Sequence, residues 1–195
     1  MHRLVDAYFL FYNSSYPILH EKTFRERMAT RQQAPSKPTW HIVYYMVLAI
    51  GYWVSTANKS KAQSPYYLAA RSRLSMQMLD SGTMETVQAF LLMGNYLQKM
   101  DRPNTGYIFI GIAYRVALGL GLHREISDAE DTIFYERRRR LFWTLFCFDS
   151  GFNITTGRPP TASEGFIDCR LPRNIDDMVS HIYMLMIDVY CCALI

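Results

Sequence analysis

The middle of the chain contains the stretch Gly119-Leu-Gly-Leu-His-Arg124, which follows an apolar helical pattern. Many helices end on a left-handed residue, and glycine adopts that conformation most easily, so the two glycines predict a helix end here. A second and longer helix is predicted to begin at Ser127 or Asp128 and to contain Glu136-Arg-Arg-Arg-Arg-Leu-Phe-Trp143. The stretch Gly157-Arg-Pro-Pro160 follows it. The order of these three stretches predicts two connected helices, followed by a segment that is not helical.

Apolar residues recur at helical spacing through most of the remaining chain. Near the N-terminus, Leu4, Tyr8, Phe11 and Tyr12 are predicted to share one buried helix face. Residues 40–54 are apolar nearly all round, which is typical of a central, buried helix.

Two further patterns belong to the predicted helices. Residues 66–79 are amphipathic and are predicted to form one helix. The small residues Gly111, Ala113 and Ala117 indicate a helix that packs closely against a neighbour.

We therefore predict an all-α fold of roughly eight helices in antiparallel pairs, because successive helices joined by short loops pack in this way. One extended Gly/Pro segment is expected near residues 155–175, and a last helix over residues 175–195. We expect one domain over residues 1–195. The apolar final stretch, Ile187-Asp-Val-Tyr-Cys-Cys-Ala-Leu-Ile195, predicts that this domain is truncated at its C-terminus.

Composition narrows the class of protein. The chain has 195 residues, of which 50% are hydrophobic, and a net charge of +4. This length supports one domain with a substantial core. The longest apolar runs are shorter than the ~20 residues that cross a bilayer, and the start lacks a signal-peptide pattern, so no membrane partner is expected.

The cysteines lie at positions 147, 169, 191 and 192 and form no C-x-x-C pair. We expect buried, reduced thiols and no cofactor or metal in this chain. No G-x-S-x-G, H-E-x-x-H, GxGxxG or P-loop motif occurs. We therefore expect neither catalytic residues nor enzyme activity.

The arginine run Arg137, Arg138, Arg139 and Arg140 is the most basic feature of the chain. Successive helical residues point about 100° apart, so the four side chains cannot form one patch. We expect two solvated arginines and one or two paired with acidic residues, Glu136 with Arg140 among them. A nuclear-import signal or a DNA-phosphate clamp is the alternative interpretation.

Asp149 follows an apolar run and is expected to be partly buried, so it needs a partner. Arg158, in the Gly157-Arg-Pro159 turn, is the first candidate, and Arg138 or Arg139 are its rivals. This pair would attach the extended segment to the long helix.

Aromatic residues concentrate in two neighbouring predicted helices. The cluster is either ordinary core or the lining of a pocket for a small-molecule effector. Its members are Tyr44, Tyr45, Tyr52, Trp53, Tyr66 and Tyr67.

Taken together, these motifs resemble the regulatory (middle homology) region of fungal zinc-cluster (Zn2Cys6) transcription factors. The resemblance spans roughly residues 4 to 177, and its opening is carried by Tyr8-Phe-Leu-Phe11 and Tyr16-Pro-Ile-Leu-His20. Its signature positions in this sequence are Gly121, His123, Arg124, Glu136, Arg137, Arg138, Arg139, Trp143, Asp149, Gly157, Arg158 and Pro159. Cys169-Arg170 departs from the family pattern, which has an acidic residue before the later Leu-Pro.

This resemblance implies a nuclear regulator of DNA-templated transcription. Its partners would be regulatory proteins or the transcription machinery, with a small-molecule effector as a further candidate. The zinc cluster is absent, because four scattered cysteines cannot make it. Zinc and DNA binding would therefore belong to the full-length protein. The alternatives are a receptor-like helical domain that senses a small molecule and, more remotely, a helical enzyme.

Overall fold

The computed structural model describes residues 1–30, 38–56, 64–80, 82–126, 133–159, 161 and 164–173. These residues form α-helices and no strands, which confirms the all-α prediction. The helices are α1 (His2–Tyr8), α2 (Glu21–Thr30), α3 (Pro38–Ser55), α4 (Pro65–Arg71), α5 (Gln77–Asp80), α6 (Met84–Lys99), α7 (Pro103–Gly119) and α8 (Ile133–Thr156). A π-helical turn, Phe9–Asn13, continues α1, and a 3₁₀ turn covers Glu164–Phe166.

The core is built around α3, whose residues from Ile42 to Gly51 are almost all buried. Helices α1, α4 and α6 pack against α3, and α7 lies against both α6 and α8. This arrangement confirms the buried central helix that the uniformly apolar pattern predicted. The antiparallel pairing of successive helices stays a prediction.

Helix α6 shows how local sequence sets a helix start. Thr83 precedes its first turn and accepts a hydrogen bond from the Thr86 amide at 3.2 Å. The Thr86 hydroxyl accepts from the Thr83 amide, also at 3.2 Å, so two otherwise unpaired N–H groups are satisfied.

The inner face of α1 differs from the predicted one. Phe11 is 64% exposed, whereas Phe9 is buried. Val5, Tyr8, Phe9 and Tyr12 take the three- and four-residue spacing of a helix face, and the π-helical turn carries Phe11 to the outside. The prediction for Phe11 was therefore wrong.

The predicted single helix over residues 66–79 is also wrong. It is divided into α4 and the short α5, and Leu74 lies in the break, packed against the core. At the other end of the chain, α8 extends to Thr156 and the segment after it starts at Gly157. The predicted start of α8 at Ser127 or Asp128, the predicted helix over residues 175–195, Pro160, Cys191 and Cys192 lie outside the described residues.

Close helix packing depends on glycines other than the predicted Gly111. A Cβ at Gly51 of α3 would lie 2.0 Å from the Leu4 carbonyl oxygen of α1. Gly94 of α6 and Gly106 of α7 form a second close approach, because a Cβ at Gly106 would lie 2.8 Å from the Gly94 carbonyl oxygen. Open space surrounds Gly111, although Ala113 and Ala117 are fully buried as expected.

In the described ranges, none of the helices combines the length and the apolar character that crossing a bilayer requires.

Gly51→Ala is expected to destabilise the fold by about 3 kcal/mol, at the upper end of overpacking effects, because the new methyl group meets backbone rather than a flexible side chain. Urea unfolding followed by circular dichroism measures the change. Gly111→Ala is the matched control and is expected to be neutral or stabilising by up to about 1 kcal/mol. Equal stability of the two variants would contradict the close packing of α1 on α3.

Candidate functional site

The end of α7 places the first group of signature residues. Gly121 has φ +65°, in the left-handed region that the sequence predicted for this helix end. The Leu122 amide donates to the Ala117 carbonyl and the Gly121 amide to the Leu118 carbonyl, both at 3.0 Å. These two bonds close the helix and turn the chain toward His123.

Arg138 of α8 contacts the same helix end. Its Nη2 donates to the carbonyl oxygens of Gly121 at 3.0 Å and Leu120 at 3.4 Å. A cation at the C-terminus of a helix is favourable, because the last carbonyl groups carry partial negative charge. Arg138 therefore attaches α8 to the end of α7.

Arg139, the next residue, makes the strongest ion pair of the region with Glu125. Its Nε and Nη2 donate to the two Glu125 carboxylate oxygens at 3.1 and 2.5 Å. The two side chains are only 8% and 14% exposed, so solvent screens the pair weakly. The Arg139 hydrogen bond is the main cause of the lowered pKa of Glu125, and Glu125 in turn raises the pKa of Arg139.

The segment around Asp168 completes this contact. The Arg170 amide donates to Glu125 Oε2 at 2.9 Å, and the Glu125 amide donates to Asp168 Oδ1 at 2.8 Å. Trp143 Nε1 donates to the Arg170 carbonyl at 2.9 Å. The end of α7, the start of α8 and residues 168–170 thus meet at Glu125, Arg138, Arg139, Asp168 and Arg170, which we call the arginine joint.

The arginine run is more buried than expected. The structure confirms the Glu136–Arg140 pair, with Nε 3.4 Å from Oε1. Arg139 also approaches Glu136, at 3.6 Å. All four arginines are at least partly buried, so the expectation of two solvated arginines was wrong. Arg138 bonds the end of α7, and Arg139 and Arg140 pair with acidic side chains.

A second contact, centred on Asp149, holds the chain after α8. Asp149 is 2% exposed and accepts from Asn153 Nδ2 and from Thr161 Oγ1, both at 3.0 Å. Burial raises the pKa of this carboxyl, and the Thr161 and Asn153 bonds oppose the rise. Asp149, Asn153 and Thr161 form what we call the Asp149 latch.

The predicted pair between Asp149 and Arg158 is wrong. Arg158 Nη2 donates to Asn104 Oδ1 of α7 at 2.8 Å, and its guanidinium lies over the Tyr107 ring, 4.1 Å from the centroid. Gly157 has φ +66° and turns the chain at the end of α8, which directs Arg158 toward α7. The predicted attachment of the extended segment is made by Thr161 instead.

The described groups show no arrangement suited to metal binding. No set of three or more His, Cys, Asp and Glu side chains in the described ranges has the geometry to hold a metal ion. Cys147 and Cys169 are free thiols, and burial raises the pKa of Cys169 to about 11, which keeps it protonated at neutral pH.

The sequence profile of the fungal specific transcription factor domain matches residues 5–184. The chain belongs to this family.

Relatives within the family are described as regulators. The chain is 35% identical over 156 residues to "Lactose regulatory protein LAC9" of Kluyveromyces lactis, covering 80% of this chain and 18% of that protein. It is 33% identical over 114 residues to "Activator of stress genes 1" of Saccharomyces cerevisiae, covering 57% of this chain and 12% of that protein.

A third relative is the "ABC-transporter-regulating transcription factor" of Aspergillus oryzae, which is 26% identical over 179 residues, covering 87% of this chain and 20% of that protein. The chain thus spans about a fifth or less of the length of these relatives. No solved structure matches the chain.

Within this fungal transcription factor domain, the two contacts bring most signature residues together. Arg124 and His123 lie beside the arginine joint, since Arg124 Nη1 lies 3.0 Å from Asp168 Oδ2 in an exposed pair and the His123 carbonyl accepts from the Asp168 amide. Pro159 is exposed and follows Arg158.

Sequence reasoning missed Glu125, Thr161 and Asp168, which supply the partners of the signature residues. An acidic residue directly after Arg124 was an available signal for Glu125.

The six predicted pocket residues lie on α3 and α4 but face different surroundings. Tyr44 packs among Phe24 and Trp40 in the core, and Tyr67 stacks on Tyr96 with ring centroids 5.1 Å apart. Tyr66 is half-buried and packs against the core.

The outer members of the cluster are covered by cations or reach solvent. Arg73 covers the Tyr45 ring at 4.7 Å, and the Lys99 ammonium lies 5.0 Å from the Trp53 ring. Tyr52 is 39% exposed. The effector pocket stays a prediction.

Arg139→Gln is expected to destabilise the domain by about 3 kcal/mol, because it leaves the largely buried Glu125 carboxylate without its cation. Denaturant unfolding measures the loss. Arg124→Gln is the matched control, and its exposed pair with Asp168 should contribute much less. A double-mutant cycle of Glu125→Gln with Arg139→Gln should show coupling. Additive effects would contradict the joint.

Asp149→Asn is expected to raise the melting temperature at pH 7, with a gain that shrinks as the pH approaches 4. The folded-state pKa of Asp149 is raised, so the folded chain binds this proton more tightly than the unfolded chain. The contribution of Asp149 to the free energy of unfolding therefore becomes more favourable as the pH falls through that raised pKa. It reaches its full value below the unfolded-state pKa of about 3.9.

The side-chain amide of the Asp149→Asn variant does not ionise. The pH dependence of the difference in melting temperature between this variant and the wild type therefore reports on the Asp149 carboxyl alone. Asn153 Oδ1 is buried without a hydrogen-bond partner, and rotation of the Asn153 amide would let it accept from the new side chain. Thr161→Val, which removes a donor to Asp149, should instead lower the melting temperature. A pH-independent difference between Asp149→Asn and wild type would show that the carboxyl is not held in this way.

Proposed function

We propose that this chain is the regulatory module of a fungal zinc-cluster transcription factor and controls DNA-templated transcription through binding of a partner protein or an effector. The observation that carries the proposal is the family match over residues 5–184. Relatives described as a lactose regulatory protein and an ABC-transporter-regulating transcription factor support it. In this proposal the full-length protein acts in the nucleus and contacts DNA and zinc through a cluster outside this chain.

The geometry supports a conformational rather than a catalytic role. The arginine joint and the Asp149 latch attach Thr161 and residues 168–170 to α7 and α8 through a small number of polar contacts. Such contacts can be made in one conformation and broken in another. A ligand with different affinity for the two conformations would shift their populations and so change what a linked activation segment exposes.

A hybrid regulator tests this function. Residues 1–195 are placed between a heterologous DNA-binding domain and a heterologous activation domain, and reporter transcription is measured in a fungal host. A Gly/Ser linker of the same length is the control. We expect the domain to change reporter output by about fivefold or more, the range of typical regulatory coupling.

Arg139→Gln should abolish the change because it breaks the arginine joint, while Arg124→Gln should retain it. Output equal to that of the linker fusion would contradict the proposed function. Thermal-shift measurements with sugars, amino acids and aromatic compounds separate the two kinds of ligand, because a bound compound raises the melting temperature by mass action. No shift would favour a protein partner.

A further inference from the structure

Helix α7 lies between α6 and α8, and both of its flanks are covered. On one flank, the Phe109 ring packs edge to face on Phe90 of α6, with ring centroids 5.6 Å apart. On the other flank, the Tyr107 ring stacks on Phe152 of α8, with ring centroids 5.7 Å apart. The side of α7 that points away from the core lies between these two contacts, and its side chains reach solvent.

This solvent side of α7 carries large apolar side chains around one cation. Ile108 is 58% exposed and Leu118 is 39% exposed. Arg115 lies between them and is also exposed. We call this surface the outer α7 face, and its members are Ile108, Gly111, Ile112, Arg115, Leu118 and Gly119. We propose that it binds an amphipathic helix of a protein partner, whose apolar side presents a carboxylate to Arg115.

The spacing of these residues is that of a contact between two helices. Ile108, Gly111, Arg115 and Leu118 follow one another at intervals of three, four and three residues, so they line up along one side of α7. At a rise of about 1.5 Å per residue this line is about 15 Å long, which is nearly three turns of a partner helix. Anchors at this spacing are the usual means by which an amphipathic helix docks on another surface.

Two glycines give the partner's side chains access to the α7 backbone. A Cβ at Gly111 or Gly119 would meet no heavy atom within 4 Å from the described part of the chain. Beside these open positions, Ile112 is half-buried against the core and Leu118 is exposed. Open positions between apolar side chains are the holes that receive the knobs of a second helix. The shape of the face therefore suits a helix.

Charge decides which kind of helix fits this face. Arg115 is the only charged residue of α7. Among the residues that the structure describes, no side chain forms an ion pair with it. A wholly apolar partner would cover this cation without a counter-charge, which is costly. A carboxylate within the apolar side of the partner removes that cost and matches the planar fork of the guanidinium.

A second copy of this chain fits the outer α7 face less well. Symmetric pairing places the same face on both sides of an interface. The two Arg115 side chains would then lie near each other, and α7 has no acidic residue to meet either of them. Like charges across an interface oppose association. The charge of the face thus favours a different protein, which supplies the carboxylate.

This inference rests on the proposed function and names a surface for its protein partner. Its test measures binding to the chain itself, so the result does not depend on reporter transcription. An active hybrid regulator without binding at the outer α7 face would reject the face alone. Binding at the face with an inactive hybrid would reject the regulatory function alone.

The test uses two fluorescein-labelled helical peptides and the chain of residues 1–195. Both peptides carry leucines at three- and four-residue spacing on one side, and the central position of that side is glutamate in one peptide and lysine in the other. Fluorescence anisotropy measures the two affinities. The wild-type chain should bind the glutamate peptide at least about tenfold more tightly, because the lysine would meet Arg115.

Charge changes at the centre of the face identify the binding site. Arg115→Glu should reverse the preference, so that the lysine peptide binds more tightly than the glutamate peptide. Arg115→Gln, which only removes the charge, should bring the two peptides to similar affinity. Arg3→Glu makes the same charge reversal at an exposed position of α1 and should retain the preference of the wild type.

A second pair of variants tests the apolar part of the face. Ile108→Ser should weaken binding of the glutamate peptide by about fivefold or more, because it removes an apolar anchor. Leu10→Ser changes a similarly exposed apolar side chain of the π-helical turn after α1 and should leave binding unchanged. All of these positions are exposed, and denaturant unfolding of each variant verifies that it folds.

Four results would overturn the proposal. Equal affinity of the wild type for both peptides would show that Arg115 does not select the ligand, and an unchanged preference in Arg115→Glu would place the binding elsewhere. Absence of binding by either peptide would leave the face without the proposed occupant. A wild-type dimer in sedimentation velocity that Ile108→Ser converts to a monomer would assign the face to a second copy of this chain.

Discussion

The paired charges of Arg139 and Glu125 connect three parts of the chain that are distant in sequence. Glu125 follows the end of α7, Arg139 lies in the second turn of α8, and the Arg170 amide belongs to the segment beyond α8. A buried carboxylate without a cation is costly, so each part holds the others in place. Arg138 on the α7 carbonyl groups and Trp143 on the Arg170 carbonyl depend on the same arrangement.

Apart from the arginine joint, the helices pack together through close approach of their backbones. Gly51 lets α3 contact the backbone of α1, and Gly94 with Gly106 lets α6 contact α7. The resulting core supports α8 from one side, through Tyr114 against Phe142. The packing of the helical body and the polar attachment of Thr161 and residues 168–170 are different kinds of interaction. Dispersion and apolar burial maintain the body under most conditions, whereas ion pairs and a buried carboxyl respond to charge and pH.

This division accounts for the positions of the residues that carry the family resemblance in this chain. Gly121 and Gly157 end helices in left-handed conformations, and the arginines and Asp149 hold the chain that follows each end. None of these roles requires contact with a ligand.

Much of the fold was accessible from the residues themselves. The apolar α3, the helix end at Gly121, the Glu136–Arg140 pair and the family resemblance all follow from patterns within a few residues or from ordered motifs. Local sequence patterns did not predict the buried face of a helix correctly where two alternative faces were equally apolar. Phe9 and Phe11 both suit a helix face, and the π-helical turn decided between them.

The sequence by itself determined the helical class, the family and the positions where helices end, because these depend on local periodicity and on the conformational freedom of glycine. Only the tertiary structure decided the partners. Asp149 bonds Thr161 rather than Arg158, and Arg139 bonds Glu125, because the left-handed turns at Gly157 and Gly121 set the direction of the chain after each helix. The direction of the chain after each helix depends on all the turns of the fold, so the identities of the residues alone do not specify it.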